Sequence, residues 1–133
     1  MGGSRTWGEK LLLTGADGVR STVRRLVLTP VPPCAAAVMA WRSVSDSRPP
    51  GLTHLTLLMG EGCFFGLVPL GDGATHGFAG RPGHCLADPP VGRLDRLRDR
   101  FACFGGPVPA YLASLRADAQ IHSTPVEWVN LER

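Results

Sequence analysis

The distribution of apolar and polar positions divides the chain into short elements. Residues 10–14 read as a strand through Leu11-Leu12-Leu13, stopped at Gly15, and residues 21–27 as a short helix opened by Ser21. Pro30, Pro32 and Pro33 then make a stiff connector, and residues 35–44 read as a second strand carrying Trp41-Arg42 near its end. After a loop at 45–51 come three β-like runs, 52–59, 63–70 and 74–79, parted by Gly60-Glu61-Gly62 and Gly71-Asp72-Gly73. The second turn carries the Asp-Gly signal of a tight hairpin, so these runs read as an antiparallel meander. Residues 80–90 read as a loop. Leu94, Leu97 and Phe101 then share one helical face, while Asp95, Arg96, Arg98, Asp99 and Arg100 read as a solvated surface with pairs three and four residues apart. Val108, Tyr111, Leu112 and Leu115 mark a second amphipathic helix, and residues 119–129 return to an extended pattern. The sum is an α+β fold: an antiparallel sheet with a short N-terminal strand-loop-helix and a helical pair on one face.

Composition narrows the class. The 133 residues suit one domain in size, and 44% hydrophobic with 19% charged content is that of a globular protein with a real core. A net charge of +3 with arginines scattered along the chain gives no nucleic-acid footprint. Leu11 to Leu13 is too short for a signal-peptide core, and Pro32 and Pro33 interrupt the next apolar stretch, so no membrane span is expected. Cys34, Cys63, Cys85 and Cys103 lie far apart with no Cys-x-x-Cys, which points to buried, reduced thiols in a cytoplasmic protein.

The candidate chemistry is concentrated in Gly15-Ala16-Asp17-Gly18-Val19-Arg20-Ser21-Thr22-Val23-Arg24. A strand entering a Gly-Asp-Gly turn and then a Ser-started helix builds a polar pocket suited to a ribose or a phosphate. The alternative is a helix cap in which Asp17 or Ser21 only satisfies free amides. The glycines at 60, 62 and 66 and at 71, 73 and 77 lack the Gly-x-Gly-x-x-Gly spacing and open no helix, so they read as hairpin turns. His54, His76, His84 and His122 fall on separate elements without metal-ligand spacing, and no serine has a nucleophile-elbow context.

The decapeptide resembles the Asp-Gly motif of FAD-dependent aromatic-ring monooxygenases of the para-hydroxybenzoate hydroxylase-like group. Further segments follow in that family's order. Trp41-Arg42 resembles its aromatic-Arg pair. Gly60-x-Gly62 followed by Phe65-Gly66-Leu67-Val68-Pro69-Leu70 and Asp72-Gly73 is similar to its run into a hairpin. Phe101, Pro107-Val108 and Leu112 resemble its helix pair, and Ile121-His122-Ser123-Thr124-Pro125-Val126 the strand before its second flavin motif.

The resemblance implies FAD as cofactor, NAD(P)H as reductant in the complete enzyme, and hydroxylation of an aromatic or polyketide-like small molecule. It implies cofactor contacts from Gly15, Asp17, Gly18 and Arg24, with Asp17 as ribose acceptor and Arg24 as a supporting or phosphate-side group. The middle sheet would floor the substrate pocket, with Arg42, Met59, Phe64 and Phe65 as lining candidates, and no side chain is implied as catalytic acid, base or metal ligand. Residues 1–30 would be the remnant of an FAD-binding domain and residues 31–133 the substrate-binding sheet domain. The family's Rossmann unit with Gly-x-Gly-x-x-Gly is absent before the motif, and its Gly-Asp-Ala-Ala-His-like segment is expected after Arg133. The expectation is therefore an internal fragment of an incomplete fold, partnered by the remaining FAD-domain portion. A hydrogen bond to ribose contributes about 1–3 kcal/mol, whereas micromolar affinity needs roughly 8 kcal/mol. Asp17 and its loop alone are not expected to hold FAD. Readings of another class are a non-catalytic binding or partner module and the product of a broken gene.

Overall fold

The computed structural model describes residues 14–83 and 88–131. The expected strand at 10–14, apart from Thr14, and the residues His84 and Cys85 lie outside them. The chain divides into two compact units, one formed by Ala35–Val126 and the other by the chain up to Cys34 together with that from Glu127 onward.

In the first-reached unit, Thr22–Val27 forms helix α1, a single short segment whose apolar residues are not buried. The larger unit is organised by a five-stranded sheet of β1 (Cys34–Ser45), β2 (Thr56–Gly60), β3 (Cys63–Pro69), β4 (Thr75–Pro82) and β5 (Ile121–Trp128), in the order β2-β3-β4-β1-β5. The pairs β2–β3, β3–β4 and β1–β4 are antiparallel. The meander is thus β2-β3-β4, and β1 closes against its last strand. The β3–β4 turn has positive φ at both Asp72 (56°) and Gly73 (80°), the left-handed pair that an Asp-Gly hairpin requires. The expected run at 52–59 becomes a strand only from Thr56, where pairing to Leu67 begins. Leu52 instead turns into the core.

One sheet face is covered by helices α2 (Arg93–Arg100) and α3 (Val108–Ser114). Met39 and Trp41 of β1, Phe65 and Leu67 of β3, Ala79 of β4 and Ile121 of β5 bury against Leu94, Leu97, Phe101, Val108, Tyr111 and Leu115. Phe65 meets Phe101 edge-on at 5.4 Å between ring centroids and Tyr111 at 6.0 Å, and Trp41 meets Phe101 at 5.6 Å. Edge-to-face rings add attraction beyond their buried area. Tyr111 lies directly over Gly77, where a Cβ would stand 2.4 Å from its ring. The Tyr111 hydroxyl donates to the Ser43 carbonyl at 2.9 Å, tying α3 to β1.

Helix α2 begins at Gly92, which has no side chain to cap it. Asp118 does this from a distant turn, accepting from the amides of Gly92 and Leu94 at 2.7 Å each. The charged side of α2 corrects the expectation of a solvated surface. Arg93, Arg96 and Arg100 all ion-pair with Asp88, at 2.9, 3.0 and 2.8 Å, and only Arg98 with Asp95 makes the expected local pair. Residues 93, 96 and 100 lie on one helical face, and that face turns toward a carboxylate in the preceding segment.

Candidate functional site

The Asp-Gly turn belongs to the smaller unit. A Cβ on Gly15 would stand 2.8 Å from Val23, so the chain enters close against α1. Gly18 has φ +79° and no neighbour within 4 Å of a Cβ position, leaving its backbone accessible. The Asp17 carboxylate accepts from the Ser21 hydroxyl and from the amides of Thr22 at 2.7 Å and Val23 at 3.2 Å. Ser21 in turn accepts from the Arg24 amide at 2.9 Å. These contacts, the Ser21 hydroxyl first, hold Asp17 below the ordinary carboxylate range. The expected polar pocket at the helix start is therefore already filled by side chains, and α1 has only six residues. Capping occupies Asp17, yet the carboxylate remains exposed with acceptor capacity beyond its three bonds.

Arg24 stands differently. Its Nη1 donates to the Val19 carbonyl at 2.6 Å, whereas its Nε is buried and has no hydrogen-bond partner among the described residues. A buried donor left unpaired costs about 1–3 kcal/mol. Arg24 lines a cleft of about 170 Å³ with Arg20, Ser21, Arg25 and Pro32. Arg20 also ion-pairs with Glu127. The sequence reading named Arg24 but passed over Arg20 and Arg25, which stand four residues before it and one after it.

In the larger unit, the second face of the sheet carries the other candidates. Met59 pairs with Phe64, and Phe64 with Gly80. In the next row Leu57 pairs with Gly66, Gly66 with Phe78, and Phe78 with Arg42. Strand alternation puts all of these on the face away from α2 and α3. Phe64 and Phe78 each lie across the opposed glycine, for a Cβ at Gly80 would stand 2.4 Å from Phe64 and one at Gly66 2.1 Å from Phe78. The two rings approach at 6.2 Å, and His76 stacks on Phe78 at 5.9 Å. Leu57, Met59 and Val44 extend this apolar surface and are exposed.

The structure thus brings together Arg42, Met59 and Phe64 but removes Phe65, which is 1% exposed in the helix-covered core. The correction follows from the period-two geometry of a strand: neighbours 64 and 65 cannot share a face. The family-like Trp41-Arg42 pair separates in the same way, Trp41 inward and Arg42 outward. Phe78 and His76 were missed. Their signal was the hairpin register, since the Asp72-Gly73 turn sets Phe78 opposite Gly66 and His76 opposite Val68.

Asp88, also missed, organises a buried polar cluster. Its side chain is 2% exposed and accepts from the Trp41 Nε1 at 2.9 Å besides the three arginines. Burial opposes its ionisation most strongly, but hydrogen bonds from Arg100, Trp41 and Arg96 together outweigh that and keep the carboxyl well below the usual range. The Arg100 guanidinium sits 5.1 Å over the Trp41 ring. This cluster anchors α2 to β1. Among the described residues, no three His, Cys, Asp or Glu side chains gather as a metal site, and no helix is long and apolar enough to cross a membrane.

No family model matches the chain. It is 33% identical over 115 residues to the aurachin C monooxygenase/isomerase of Stigmatella aurantiaca, covering 81% of this chain and 28% of that protein. Its fold is similar to that of Klebsiella pneumoniae HpxO, solved with FAD and uric acid, with a TM-score of 0.71 and 24% identity over 84% of this chain and 30% of HpxO. It is also similar to PqsL of Pseudomonas aeruginosa, a probable FAD-dependent monooxygenase, with a TM-score of 0.62 and 22% identity over 90% of this chain and 34% of PqsL. The chain therefore spans about a third or less of the length of each of these three proteins.

Proposed function

We propose, on the premise that this chain belongs with the FAD-dependent monooxygenases over the segment it spans, that its two units supply a cofactor contact and a substrate floor. The observation that carries the cofactor half is Arg24, whose buried Nε has no hydrogen-bond partner among the described residues and which lines an arginine-rich cleft of about 170 Å³. In this reading Arg24 donates to a phosphate oxygen of FAD, and Gly18 allows the close approach its empty surroundings permit. The spare acceptor capacity of Asp17 takes a ribose hydroxyl while its other lone pairs keep α1 capped. Gly15 acts indirectly, by packing the turn on Val23.

The exposed sheet face supplies the other half. Met59, Phe64 and Phe78 offer a flat apolar floor from which an aromatic or polyketide-like substrate excludes water, and Arg42 beside Phe78 provides a cation for an anionic oxygen on it. When bound and reduced by NAD(P)H, FAD supplies the oxygen chemistry; the chain's side chains bind and orient. No acid, base or metal ligand is assigned.

The test is ligand-observed NMR of the purified chain with FAD. The magnitudes above predict weak binding, on the order of millimolar, with transfer to the ribose and adenine protons that disappears in Arg24→Ala. Unchanged transfer in Arg24→Ala, or none at millimolar FAD, would overturn the cofactor assignment. A second reading, a binding module without flavin, is favoured by the three local bonds that already engage Asp17 as a helix cap. It predicts a cooperatively folded chain indifferent to FAD. Gly-x-Gly-x-x-Gly codons before the segment and Gly-Asp-Ala-Ala-His codons after it, sought in the flanking DNA, would favour the flavin reading.

A further inference from the structure

Two cysteines that take no part in the flavin reading open onto one cleft of about 450 Å³, Cys63 at the start of β3 and Cys103 in the segment after α2. Gly60 lets these segments come together, because a Cβ there would stand 2.9 Å from Phe104 and 3.1 Å from the Cys63 Sγ. Cys63 is half-buried and Cys103 exposed. Burial first, and then the neighbouring Cys103 thiol, push the Cys63 thiol up, so it stays protonated at neutral pH. Arg81 and Arg100 line the same cleft.

We propose that Cys63 and Cys103 form a peroxide-oxidisable thiol pair that closes to a disulfide between the β2–β3 hairpin and the segment following α2. The exposed Cys103 reacts first: hydrogen peroxide transfers one oxygen to its sulfur, giving the sulfenic acid and one water. The Cys63 sulfur then attacks the Cys103 sulfur, the S–O bond breaks, and the hydroxyl leaves with the Cys63 proton as a second water. Two thiols and one peroxide thus become one disulfide and two waters. A dithiol reductant reverses the step by exchange. The assignment is independent of whether the chain contacts FAD.

The test is peroxide treatment of the full chain, followed by alkylation, digestion and mass spectrometry. The expected product is a Cys63–Cys103 cross-linked peptide about 2 Da lighter than its two reduced parts, prevailing over pairs with Cys34 or Cys85, reversed by dithiothreitol and lost in urea. In Cys63→Ser, the Cys103 sulfenic acid should persist and be captured by dimedone. The oxidised chain should also melt higher by several degrees, on the order expected for a closed loop, a shift absent from Cys103→Ser. Absence of the Cys63–Cys103 peptide, or the same mixture of pairings in native buffer and in urea, would overturn the proposal.

Discussion

Asp17 and Asp88 are both held ionised by several donors, yet they stand in opposite situations. Asp17 draws its partners from the next six residues of the chain and stays exposed. Asp88 draws on β1 and on three arginines of one face of α2, and is almost fully enclosed. A locally satisfied, exposed carboxylate keeps acceptor capacity for something else at little cost to the fold. A carboxylate satisfied by distant elements is committed to holding them together. Ligand contact is therefore sought at the first and architecture at the second, although only the first carries a recognisable motif.

The largest effect is expected at Asp88. Asp88→Ala leaves the Trp41 Nε1 and three guanidinium groups without their acceptor, a loss of about 3–5 kcal/mol, read as a lower urea midpoint or as the disappearance of a cooperative transition. Asp88→Asn keeps an acceptor for Trp41 and should lose less. The folded state lowers the Asp88 pKa from its ordinary 3.8. Its ionised form therefore contributes stability that is complete above the unfolded value and is lost as pH falls toward the folded one. The stability gap between the wild type and Asp88→Asn should narrow below about pH 4. A gap that stays constant through this range would mean the carboxylate is not held as described.

The adjacent residues Phe64 and Phe65 bring the same contrast into the sheet. Phe65→Ala opens the core between β3, Phe101 and Tyr111 and should cost about 3–5 kcal/mol. Met59→Ala on the opposite face, at a residue 74% exposed, should change stability by no more than about 0.5 kcal/mol. Equal losses in thermal melts would show that the second face is covered too. Gly77→Ala lies between these, at about 1–3 kcal/mol, because the added methyl meets the Tyr111 ring from within a closely packed layer.

The legibility of the chain follows the range of the forces involved. Turns and alternation are local, so the meander, the Asp72-Gly73 hairpin and the two amphipathic helices could be read directly. The place of β1 beside β4 could not, since strand order depends on which hydrophobic faces meet in space. The same limit hid Asp88. A lone aspartate in a loop says nothing of three arginines until α2 is docked, and those arginines carry the pattern of an ordinary wet surface. Of the four lining candidates Phe65 alone faces the helices, where the alternation that predicted the strand already required neighbouring residues to face apart.

The smallest effect should come from Asp17. Replacing it with Ala removes the acceptor for the Thr22 and Val23 amides and for the Ser21 hydroxyl, all within the smaller unit. Hydrogen exchange should quicken at Thr22 and Val23 while the protection of β3 and β4 amides and the main melting transition stay unchanged. Asp17→Asn should recover part of the capping, because an amide oxygen still accepts, but it replaces the ionised acceptor with a weaker one for a ribose hydroxyl. Weakened FAD contact in Asp17→Asn with the Thr22 and Val23 protection retained would separate ligand binding from capping at this residue. Parallel loss of both in Asp17→Ala and Asp17→Asn would assign Asp17 to the helix alone and leave Arg24 as the cofactor contact of the turn.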